Sequence, residues 1–190
     1  MSSDSDEHWI AFTPYGEPLD RPLTKVEAAS GVLHGSTHVW VWRQGDSGPE
    51  LLMQQRSHSM KTWPGWWDCS AAGHMNFGET PVDAVFREAK EEIGISLDTA
   101  SLELLFVARC LLRSPGTDIL ENEFQWVYGH MALEGTQLSF GDGEVSTTRW
   151  VPLDALGELM AGKSAGERVV PHSDAYLASL TEGIRRVSGL

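Results

Sequence analysis

One amphipathic helix, flanked on both sides by strand-like segments, constrains the fold of this chain more than any other feature. The helix is expected to begin at Thr80, a capping residue, with Pro81 in the first helical position and Asp83 completing a capping box. Gly94 predicts its end, because glycine adopts the left-handed conformation that closes many helices. Between these points, apolar residues recur at helical spacing and form one face. They are Val82, Val85, Phe86, Ala89 and Ile93.

Segments rich in β-branched and aromatic residues lie before and after this helix. Thr37–Arg43 and Glu50–Arg56 predict a β-hairpin around a turn at Gln44–Pro49. Later segments predict two long strands, a short strand and a C-terminal helix with one apolar face. These are Leu102–Arg113, Glu123–Leu133, Arg149–Val151 and, within residues 172–190, the face of Leu177, Leu180, Ile184 and Val187. Strands on both sides of a helix predict an α+β fold, in which helices pack on the faces of a sheet.

The length of 190 residues predicts one domain over residues 1–190, large enough for its own hydrophobic core. Residues 1–27 are polar and contain three prolines, so an N-terminal arm or edge strand is expected there. No apolar run approaches the roughly 20 residues that span a bilayer, and the acidic N-terminus lacks the regions of a signal peptide. We therefore expect a cytoplasmic protein with no membrane partner. Cys69 and Cys110 are the only cysteines, so no disulfide framework is expected.

The formal net charge of −13 restricts the partners of this chain. Phosphate contacts in nucleic acids need a basic surface, so a nucleic-acid duplex is not an expected partner. An anionic small molecule can still bind where metal ions bridge it to carboxylates. The sequence leaves the oligomeric state open.

Three carboxylates lie on one side of the predicted helix, away from its apolar face. Glu88, Glu91 and Glu92 are spaced i, i+3 and i+4, and they therefore repel one another. A hard cation such as Mg²⁺, or Mn²⁺ as the alternative, takes several oxygen ligands and relieves this repulsion. Arg87 lies beside the cluster and is expected to pair with Glu79, holding the preceding loop against the helix. A bare acidic cluster is more often a solvated helix face, so its context decides the interpretation.

The context is the segment from Gly73 to Ile95, which reads GHMNFGETPVDAVFREAKEEIGI. This segment resembles the Nudix box, G-x5-E-x7-R-E-U-x-E-E-x-G-U, in which U is an apolar residue. Every fixed position matches, and Ala89 departs mildly because it is smaller than the usual aliphatic residue. The matching residues are Gly73, Glu79, Arg87, Glu88, Glu91, Glu92 and Gly94. The resemblance implies the Nudix fold, an α/β/α sandwich with a mixed β-sheet, and hydrolysis of a diphosphate link by a metal-activated water.

The same resemblance implies a role for each matching residue. The expected metal ligands are Glu88, Glu91 and Glu92, with Glu79 and the backbone carbonyl of Gly73 as further candidates. The general base varies within the family. Glu91 is the first candidate, and Glu144, in a segment that resembles the acidic loop after the box, is the alternative. Arg87 is placed with the catalytic residues because it lies beside these carboxylates.

A second resemblance covers roughly His38 to Pro152. The isopentenyl diphosphate isomerase branch of Nudix proteins is similar in two segments, LLMQQRSHSMKTWPGWWDCSAAGH and ENEFQWVY. True isomerases of this type carry a catalytic cysteine directly before a Gly-His pair. Here that position is Ala72, which can neither give nor take a proton. Cys69, three residues earlier, is expected in the core on the opposite strand face.

The isomerase-like branch also implies a second metal site, built from histidines and glutamates. Its candidate ligands are His74, Glu121 and Glu123, together with His34 and His38. His38 matches plausibly, whereas His34 fits only if the preceding loop is shortened. Glu121 and Glu123 are two residues apart in a predicted strand, so both point to one face.

A substrate pocket is implied around the loop Ser57–Gly65. Arg56 and Lys61 are the expected diphosphate contacts, since an arginine can bind phosphate through two nitrogens. Trp63 is expected to contact the substrate. Trp66 and Trp67 could line the same pocket, for a base or an isoprenoid group, or pack in the core.

The intact box and Ala72 together favour a hydrolase over an isomerase. We predict a Mg²⁺- or Mn²⁺-dependent hydrolase whose partner is a small diphosphate, either a nucleoside di- or triphosphate or an isoprenoid diphosphate. The alternatives are an isopentenyl diphosphate isomerase and a non-catalytic Nudix module that binds a nucleotide. The box specifies the diphosphate but not the group attached to it.

Overall fold

Nine strands and four helices are present in the computed structural model, which describes residues 8–141, 143–162 and 166–190. The strands are β1 (His8–Phe12), β2 (Pro18–Thr24), β3 (His34–Gly45), β4 (Gly48–Arg56), β5 (Trp67–Asp68), β6 (Ala71–His74), β7 (Leu102–Arg113), β8 (Leu120–Met131) and β9 (Val145–Pro152). The helices are α1 (Lys25–Ala29), α2 (Pro81–Ile93), α3 (Leu153–Met160) and α4 (Asp174–Ser188).

Strand β3 is the centre of a mixed sheet. It runs parallel to β8, from His34 opposite Glu123 to Trp42 opposite Met131, and antiparallel to β4 and β6. Strand β7 extends the sheet beyond β8, while β5 and β9 both pair with β4. The β1–β2 hairpin joins β3 where Ala11 pairs with His34. The predicted mixed sheet is confirmed.

Helices cover both faces of this sheet. Successive residues of β3 point to opposite faces, so Val39 and Val41 pack toward α2, whereas Trp40 and Trp42 pack toward α3 and α4. A strand that is buried on both faces reads as a continuous apolar run, as residues 39–42 of β3 do. The predicted sandwich is therefore confirmed. Its helical layers contribute Val85, Ala89 and Ile93 on one side and Leu156, Leu180 and Ile184 on the other.

Local signals set the ends of α2 as predicted. The Thr80 hydroxyl accepts the Asp83 N–H, and the Asp83 carboxylate accepts the Thr80 N–H. Gly94 closes the helix with a φ of 73°, and its N–H donates to the carbonyl of Ala89. Val82 departs from the prediction, because it is 37% exposed and does not join the core face.

The turn between β3 and β4 is tighter than predicted. Gly45 pairs with Gly48, so Asp46 and Ser47 alone form the turn, rather than the whole of Gln44–Pro49. Two-residue turns suit hairpins because their twist matches that of the strands.

Two strands extend differently from the prediction because their partners set their ends. Strand β8 begins at Leu120, which pairs with Arg113 of β7, and it ends at Met131 rather than Leu133. Strand β9 is longer than the predicted Arg149–Val151, since it pairs with β4 along almost its whole length. The sequence of each strand alone does not show how far its pairing with the neighbouring strand extends.

The N-terminal segment forms a hairpin of β1 and β2 at the sheet edge, where an arm or edge strand was expected over residues 1–27; residues 1–7 lie outside the described residues. Strand β1 borders both β3 and β6. The Phe12 N–H donates to the carbonyl of Leu33, and the Ile10 N–H donates to the carbonyl of Met75. This hairpin therefore lies next to the segment Gly73-His74.

The predicted C-terminal helix is confirmed as α4, whereas α1 and α3 are absent from the sequence prediction. Helix α1 does carry a local signal, because Thr24 and Glu27 form its capping box. Within the described ranges, no helix combines the length and apolar content that crossing a membrane requires.

Candidate functional site

Helix α2 brings two box carboxylates to the backbone of β6. The Glu88 carboxylate lies so close to Gly73 that a methyl group at this position would overlap it. Glu92 is 2% exposed, and it accepts hydrogen bonds from the Ala72 backbone N–H and the Gln54 amide, each at 2.9 Å. Glycine at position 73 lets the Glu88 side chain approach the strand backbone this closely, and a methyl group here would force the carboxylate to move.

Burial disfavours ionisation of these two carboxyl groups. It raises the pKa of Glu88 to about 7; Arg87 opposes this shift, while the charges of Glu91 and Glu144 add to it. Burial also raises the pKa of Glu92 well above its ordinary value, and the charge of Glu88 acts in the same direction. Buried carboxylates ionise readily only beside a compensating positive charge. A divalent cation is the partner that this arrangement fits.

Arg87 ties the loop before α2 to the carboxylates. Its Nε and Nη2 donate to the two oxygens of Glu79, at 2.8 and 2.9 Å. The same guanidinium donates to the His74 carbonyl at 3.0 Å, to Glu88 at 2.6 Å and to Glu91 at 3.2 Å. The predicted pairing of Arg87 with Glu79 is confirmed. Because both Glu79 oxygens face Arg87, the geometry favours the loop-holding role of Glu79 over that of a metal ligand.

Glu91 and Glu144 are the more accessible acids near Glu88. The Glu91 side chain is 51% exposed. Glu144 lies in the segment before β9, where its backbone carbonyl accepts the Ser57 N–H at 2.6 Å. Its charge contributes to the raised pKa of Glu88, so the two carboxyl groups are close enough to interact. We refer to Glu88, Glu91 and Glu92 as the box cluster.

A second cluster adjoins the box cluster along β6 and consists of His34, His74 and Glu123. Pairing in the sheet builds it, because His34 lies opposite Glu123, and Ser36 lies opposite His74. One coordinating atom from each of the three side chains lies within 4.8 Å of the other two. Glu123 Oε1 lies 3.2 Å from His74 Nε2 and 3.5 Å from His34 Nε2. We refer to these three residues as the histidine cluster.

The hydrogen bonds around the histidine cluster fit a bound cation. His34 Nδ1 lies 2.8 Å from the Val32 carbonyl, which only accepts, so this nitrogen carries the hydrogen. In the neutral ring, Nε2 is then a bare acceptor that faces the Glu123 carboxylate, and it is buried without a hydrogen-bond partner among the described residues. The other Glu123 oxygen accepts from Ser36 and Gln125, at 2.9 Å each. Such outer contacts orient ligands in metal sites.

The pKa values around the histidine cluster follow from burial and from the charges nearby. Burial alone would raise the pKa of Glu123, but His34 and His74, when their rings are protonated, outweigh burial and hold it well below its ordinary value. Burial lowers the pKa of His74, although Glu123 opposes the shift. Burial and the charge of Glu123 raise the pKa of Glu121 to about 7. The site thus contains Glu121 as a further acid, whose ionisation a nearby cation would favour.

Arg56 acts electrostatically on both clusters. In the box cluster, burial raises the pKa of Glu92 and the charge of Arg56 opposes that shift. In the histidine cluster, burial lowers the pKa of His74 and the charge of Arg56 acts in the same direction. The Arg56 side chain is 13% exposed. It donates to the Thr62 carbonyl and hydroxyl at 3.3 Å and lies 3.7 Å from Asp68. Arg56 therefore also organises the loop between β4 and β5.

Of the three tryptophans in this segment, Trp63 is buried, whereas Trp66 and Trp67 are half-buried. Trp63 is 4% exposed, and its φ of 51° is uncommon for a residue other than glycine. Its backbone N–H donates to the Ser114 hydroxyl at 3.3 Å, so Trp63 packs against the β7–β8 turn. Trp67 packs on the core, and Trp66 contacts Trp63 edge to face. Lys61 is exposed in the same loop.

Of the two less certain candidate ligands, His34 and His38, the structure places His34 in the histidine cluster. His34 joins His74 and Glu123, whereas His38 Nδ1 lies 2.9 Å from the Tyr176 hydroxyl of α4. The two residues are four apart in one strand, so they share a face but lie far apart along it.

The expectation that Cys69 and Ala72 lie on opposite strand faces is wrong. Both pack against the core cluster under α3 and α4. Cys69 precedes β6, and the chain bends at Ser70, so strand alternation does not extend from Ala72 to Cys69. The prediction that Cys69 is a core residue is confirmed, because its exposure is 0%.

Sequence reasoning misses several residues that hold the site together. Gln125 is two residues after Glu123, so strand alternation could have placed it on the same face. Ser36 and Gln54 could not have been found this way, because their contacts join distant strands and helices. Trp9, which stacks on both histidines of the histidine cluster, carries no local signal at all.

Comparison with known proteins agrees with this geometry. The NUDIX domain family model matches residues 33–172. Nudix hydrolase 3 of Arabidopsis thaliana is 32% identical over 155 residues, which are 79% of this chain but only 20% of the plant protein. An isopentenyl-diphosphate Delta-isomerase of Escherichia coli O127:H6 is 30% identical over 152 residues, or 79% of each chain.

Among solved structures, DR0079 from Deinococcus radiodurans is similar in fold. Its TM-score is 0.66 at 23% sequence identity, over 95% of this chain and 99% of that one.

Proposed function

Because this chain belongs to the Nudix family, we propose that it is a divalent-metal-dependent hydrolase that cleaves the diphosphate link of a small phosphorylated molecule. The observation that carries the proposal is the packing of Glu88 and Glu92 against the backbone of Ala72 and Gly73. Carboxylates beside a strand backbone offer the hard oxygen ligands that Mg²⁺ and Mn²⁺ prefer.

The ligands we propose at this place are the box cluster and the carbonyl of Gly73. Glu88 and Glu92 are buried carboxyl groups whose ionisation needs positive charge, and Glu91 adds a more accessible oxygen. When bound, a divalent ion would polarise the diphosphate and favour ionisation of the attacking water.

The protein side chains would position the reactants and move the proton. We assign Glu91 as the general base, because its half-exposed carboxylate is anchored by Arg87 and can reach a water from the solvent side. Glu144 is the alternative base, since its charge acts on Glu88 from the segment before β9. Arg87 would keep Glu88 and Glu91 in place while Glu79 holds Arg87.

The histidine cluster, with Glu121 beside it, is proposed as a second cation site. Its support is the bare, buried Nε2 of His34, which faces the Glu123 carboxylate. Imidazole ligands suit transition ions, and a carboxylate suits Mn²⁺, so the two ligand types together favour a transition ion over Mg²⁺.

The substrate is proposed to be a nucleoside di- or triphosphate or an isoprenoid diphosphate. Arg56 supports this, because its charge acts on both clusters and would attract the diphosphate between them. Lys61 would add a second positive charge from the loop. Trp63, being buried, would shape the pocket wall rather than stack on the attached group.

A phosphate-release screen tests the proposal. Nucleoside di- and triphosphates, dinucleotide polyphosphates, nucleotide sugars and isoprenoid diphosphates are offered with Mg²⁺, with Mn²⁺ and with EDTA. We expect metal-dependent release from at least one class and a loss of most of this activity in Glu91→Gln, which keeps the shape but not the charge. Glu182→Gln on the exposed face of α4 is the matched control. Binding of a nucleotide without release from any class would instead indicate a non-catalytic module.

The role of Arg56 has its own test. We expect Arg56→Ala to raise KM for two unlike diphosphates by a similar factor, because the residue would contact only their common part. Arg43→Ala is the control, since Arg43 pairs with Glu50 at the surface. If both KM values stayed unchanged, or only one rose, Arg56 would no longer be assigned as a contact to the diphosphate.

An isomerase is the second candidate, favoured by the likeness to the Escherichia coli enzyme and by the histidine cluster. Ala72 opposes it, because this position offers no proton donor or acceptor. We expect no dimethylallyl diphosphate when the protein is incubated with isopentenyl diphosphate and Mg²⁺ or Mn²⁺. Proton NMR that shows the isomerised product at an enzymatic rate would reverse this conclusion.

A further inference from the structure

Strand β1 lies outside the matched family region of residues 33–172, yet it borders the histidine cluster. Ala11 pairs with His34, and Trp9 forms a bridge with Asn76, two residues after His74. The backbone of β1 is thus fixed beside both histidines.

The indole of Trp9 contacts both imidazole rings of the cluster. Its centroid lies 3.7 Å from that of His74, with the ring planes 14° apart. It lies 5.5 Å from that of His34, with the planes 25° apart. One half-buried aromatic ring from the N-terminal hairpin therefore stacks on two candidate cation ligands.

Stacking of this kind fixes a histidine ring without blocking its ligand atom. The lone pair of Nε2 lies in the ring plane, whereas the indole contacts the ring face. The outer torsion of a free histidine side chain is broad, so an unsupported ring can turn Nε2 away from Glu123. The Trp9 indole removes that freedom from His74, which is otherwise the most exposed member of the cluster, at 32% of its side chain.

We propose that Trp9 is a positioning residue for the histidine cluster, holding the imidazoles of His34 and His74 with Nε2 directed at one cation beside Glu123. The proposal rests on the second cation site proposed above. It implies that the β1–β2 hairpin, although outside the family region, is part of the functional unit. By linkage, cation binding and docking of the hairpin stabilise each other.

Titration with Co²⁺ tests this, because its visible absorption reports imidazole ligation independently of catalysis. The full-length protein is titrated as wild type and as Trp9→Ala, Trp9→Leu and Trp9→Phe. His34→Ala defines the signal that the box cluster alone contributes. We expect the alanine and leucine variants to bind Co²⁺ about tenfold more weakly at the His34-dependent site, the loss typical of a missing outer contact. Phenylalanine should restore most of the affinity, because it keeps an aromatic face.

Fluorescence gives a second measure from the same titration. The chain has eight tryptophans, so Trp9→Phe should remove the Co²⁺ quenching that comes from Trp9 while keeping the affinity. Trp150→Phe is the matched control and should retain both, because Trp150 lies on β9 under Arg43. Far-UV circular dichroism checks that each variant is folded.

The outcomes separate the two proposals. If Trp9→Leu matches the wild type, apolar bulk alone suffices and the positioning role is overturned; unchanged Co²⁺ affinity and spectrum in Trp9→Ala overturn it as well. If the wild type and His34→Ala bind Co²⁺ identically, the proposal of a second cation site is overturned. The proposed role of Trp9 is then overturned as well, because it depends on that site. The hydrolase proposal is judged separately, by phosphate release.

Discussion

Gly73 is the residue at which one methyl group would change the site most. The Glu88 carboxylate occupies the space that a Cβ atom would need. Because Glu88 is anchored on α2 and held by Arg87, it cannot retreat without disturbing its neighbours. The absence of a side chain at position 73 is therefore part of the site geometry.

We predict that Gly73→Ala lowers the proposed metal-dependent activity by at least about tenfold, since it would displace a carboxylate that we propose as a metal ligand. Gly157→Ala in α3 is the matched control. Its new methyl group would lie at an ordinary 3.8 Å from Leu177, and alanine should stabilise the helix. Activity and Mn²⁺ affinity are measured for both variants. Equal activity in the two would show that Glu88 accommodates the methyl group.

Glu88 also predicts a pH dependence of stability for the metal-free protein. Burial raises the pKa of Glu88 from 4.5 to about 7. Between these two pH values, the folded protein keeps a proton on Glu88 that the unfolded chain has already released. The stability from this group is fully present below the unfolded pKa and is lost as the pH rises through about 7.

We therefore expect the difference in unfolding free energy between the wild type and Glu88→Gln to fall between pH 5 and 8, by on the order of 1–3 kcal/mol. Glutamine stays neutral, so the variant lacks this component, while other titrating groups act on both proteins alike. Urea unfolding in EDTA at several pH values provides the measurement. If the unfolding free energies of the wild type and Glu88→Gln changed with pH in parallel, the raised pKa of Glu88 would be contradicted.

At the scale of elements, the loop before α2 and the helix itself are joined by one guanidinium. Arg87 reaches back from the second turn of α2 to Glu79 and to the His74 carbonyl. Glu79 also accepts the Asn76 N–H at 2.8 Å. The loop, the end of β6 and the box cluster therefore move as one unit.

We predict that Glu79→Gln lowers the unfolding free energy by about 1–3 kcal/mol, because it removes a charged acceptor from Arg87 and Asn76. Mn²⁺ affinity should fall much less than in Glu92→Gln if Glu79 holds the loop and does not bind metal. Glu167→Gln is the matched control, since Glu167 forms a similar two-point pair with Arg149 away from both clusters. A loss of affinity in Glu79→Gln as large as in Glu92→Gln would make Glu79 a ligand.

At the scale of the whole molecule, α4 is tied to the central strand through one hydroxyl. Tyr176 accepts the indole N–H of Trp40 at 3.0 Å and lies 2.9 Å from His38 Nδ1. Burial and the charge of His172 lower the pKa of His38 to about 4, so His38 is neutral at pH 7. The sheet face that carries the histidine cluster thus continues into a polar contact with the C-terminal helix.

We expect Tyr176→Phe to reduce the unfolding free energy by about 2 kcal/mol, because it leaves the buried Trp40 N–H and His38 without this partner. Tyr15→Phe makes the same chemical change at a residue that is 92% exposed, and it should have almost no effect. Urea denaturation compares the two variants. If Tyr176→Phe were as stable as Tyr15→Phe, other groups would have to form hydrogen bonds with Trp40 and His38 in place of Tyr176.

The position and ends of α2 could be predicted from the sequence, because capping, helical periodicity and a closing glycine act within a few residues. The box cluster follows from the same periodicity, which places Glu88 and Glu92 on one side of the helix. The central strand could also be predicted from the sequence, because Val39 to Trp42 form an apolar run that suits burial on both faces. These features need no knowledge of distant contacts.

Tertiary structure decided which side chains meet across the sheet. His34 rather than His38 joins the histidine cluster because the parallel register sets His34 opposite Glu123, 89 positions later in the chain. The burial of Glu92, the contact of Glu88 with Gly73 and the stacking of Trp9 on His74 depend in the same way on packing between separate elements. Local sequence patterns do not fix such a register between distant strands, because a shift by two residues leaves the same side chains on the same face.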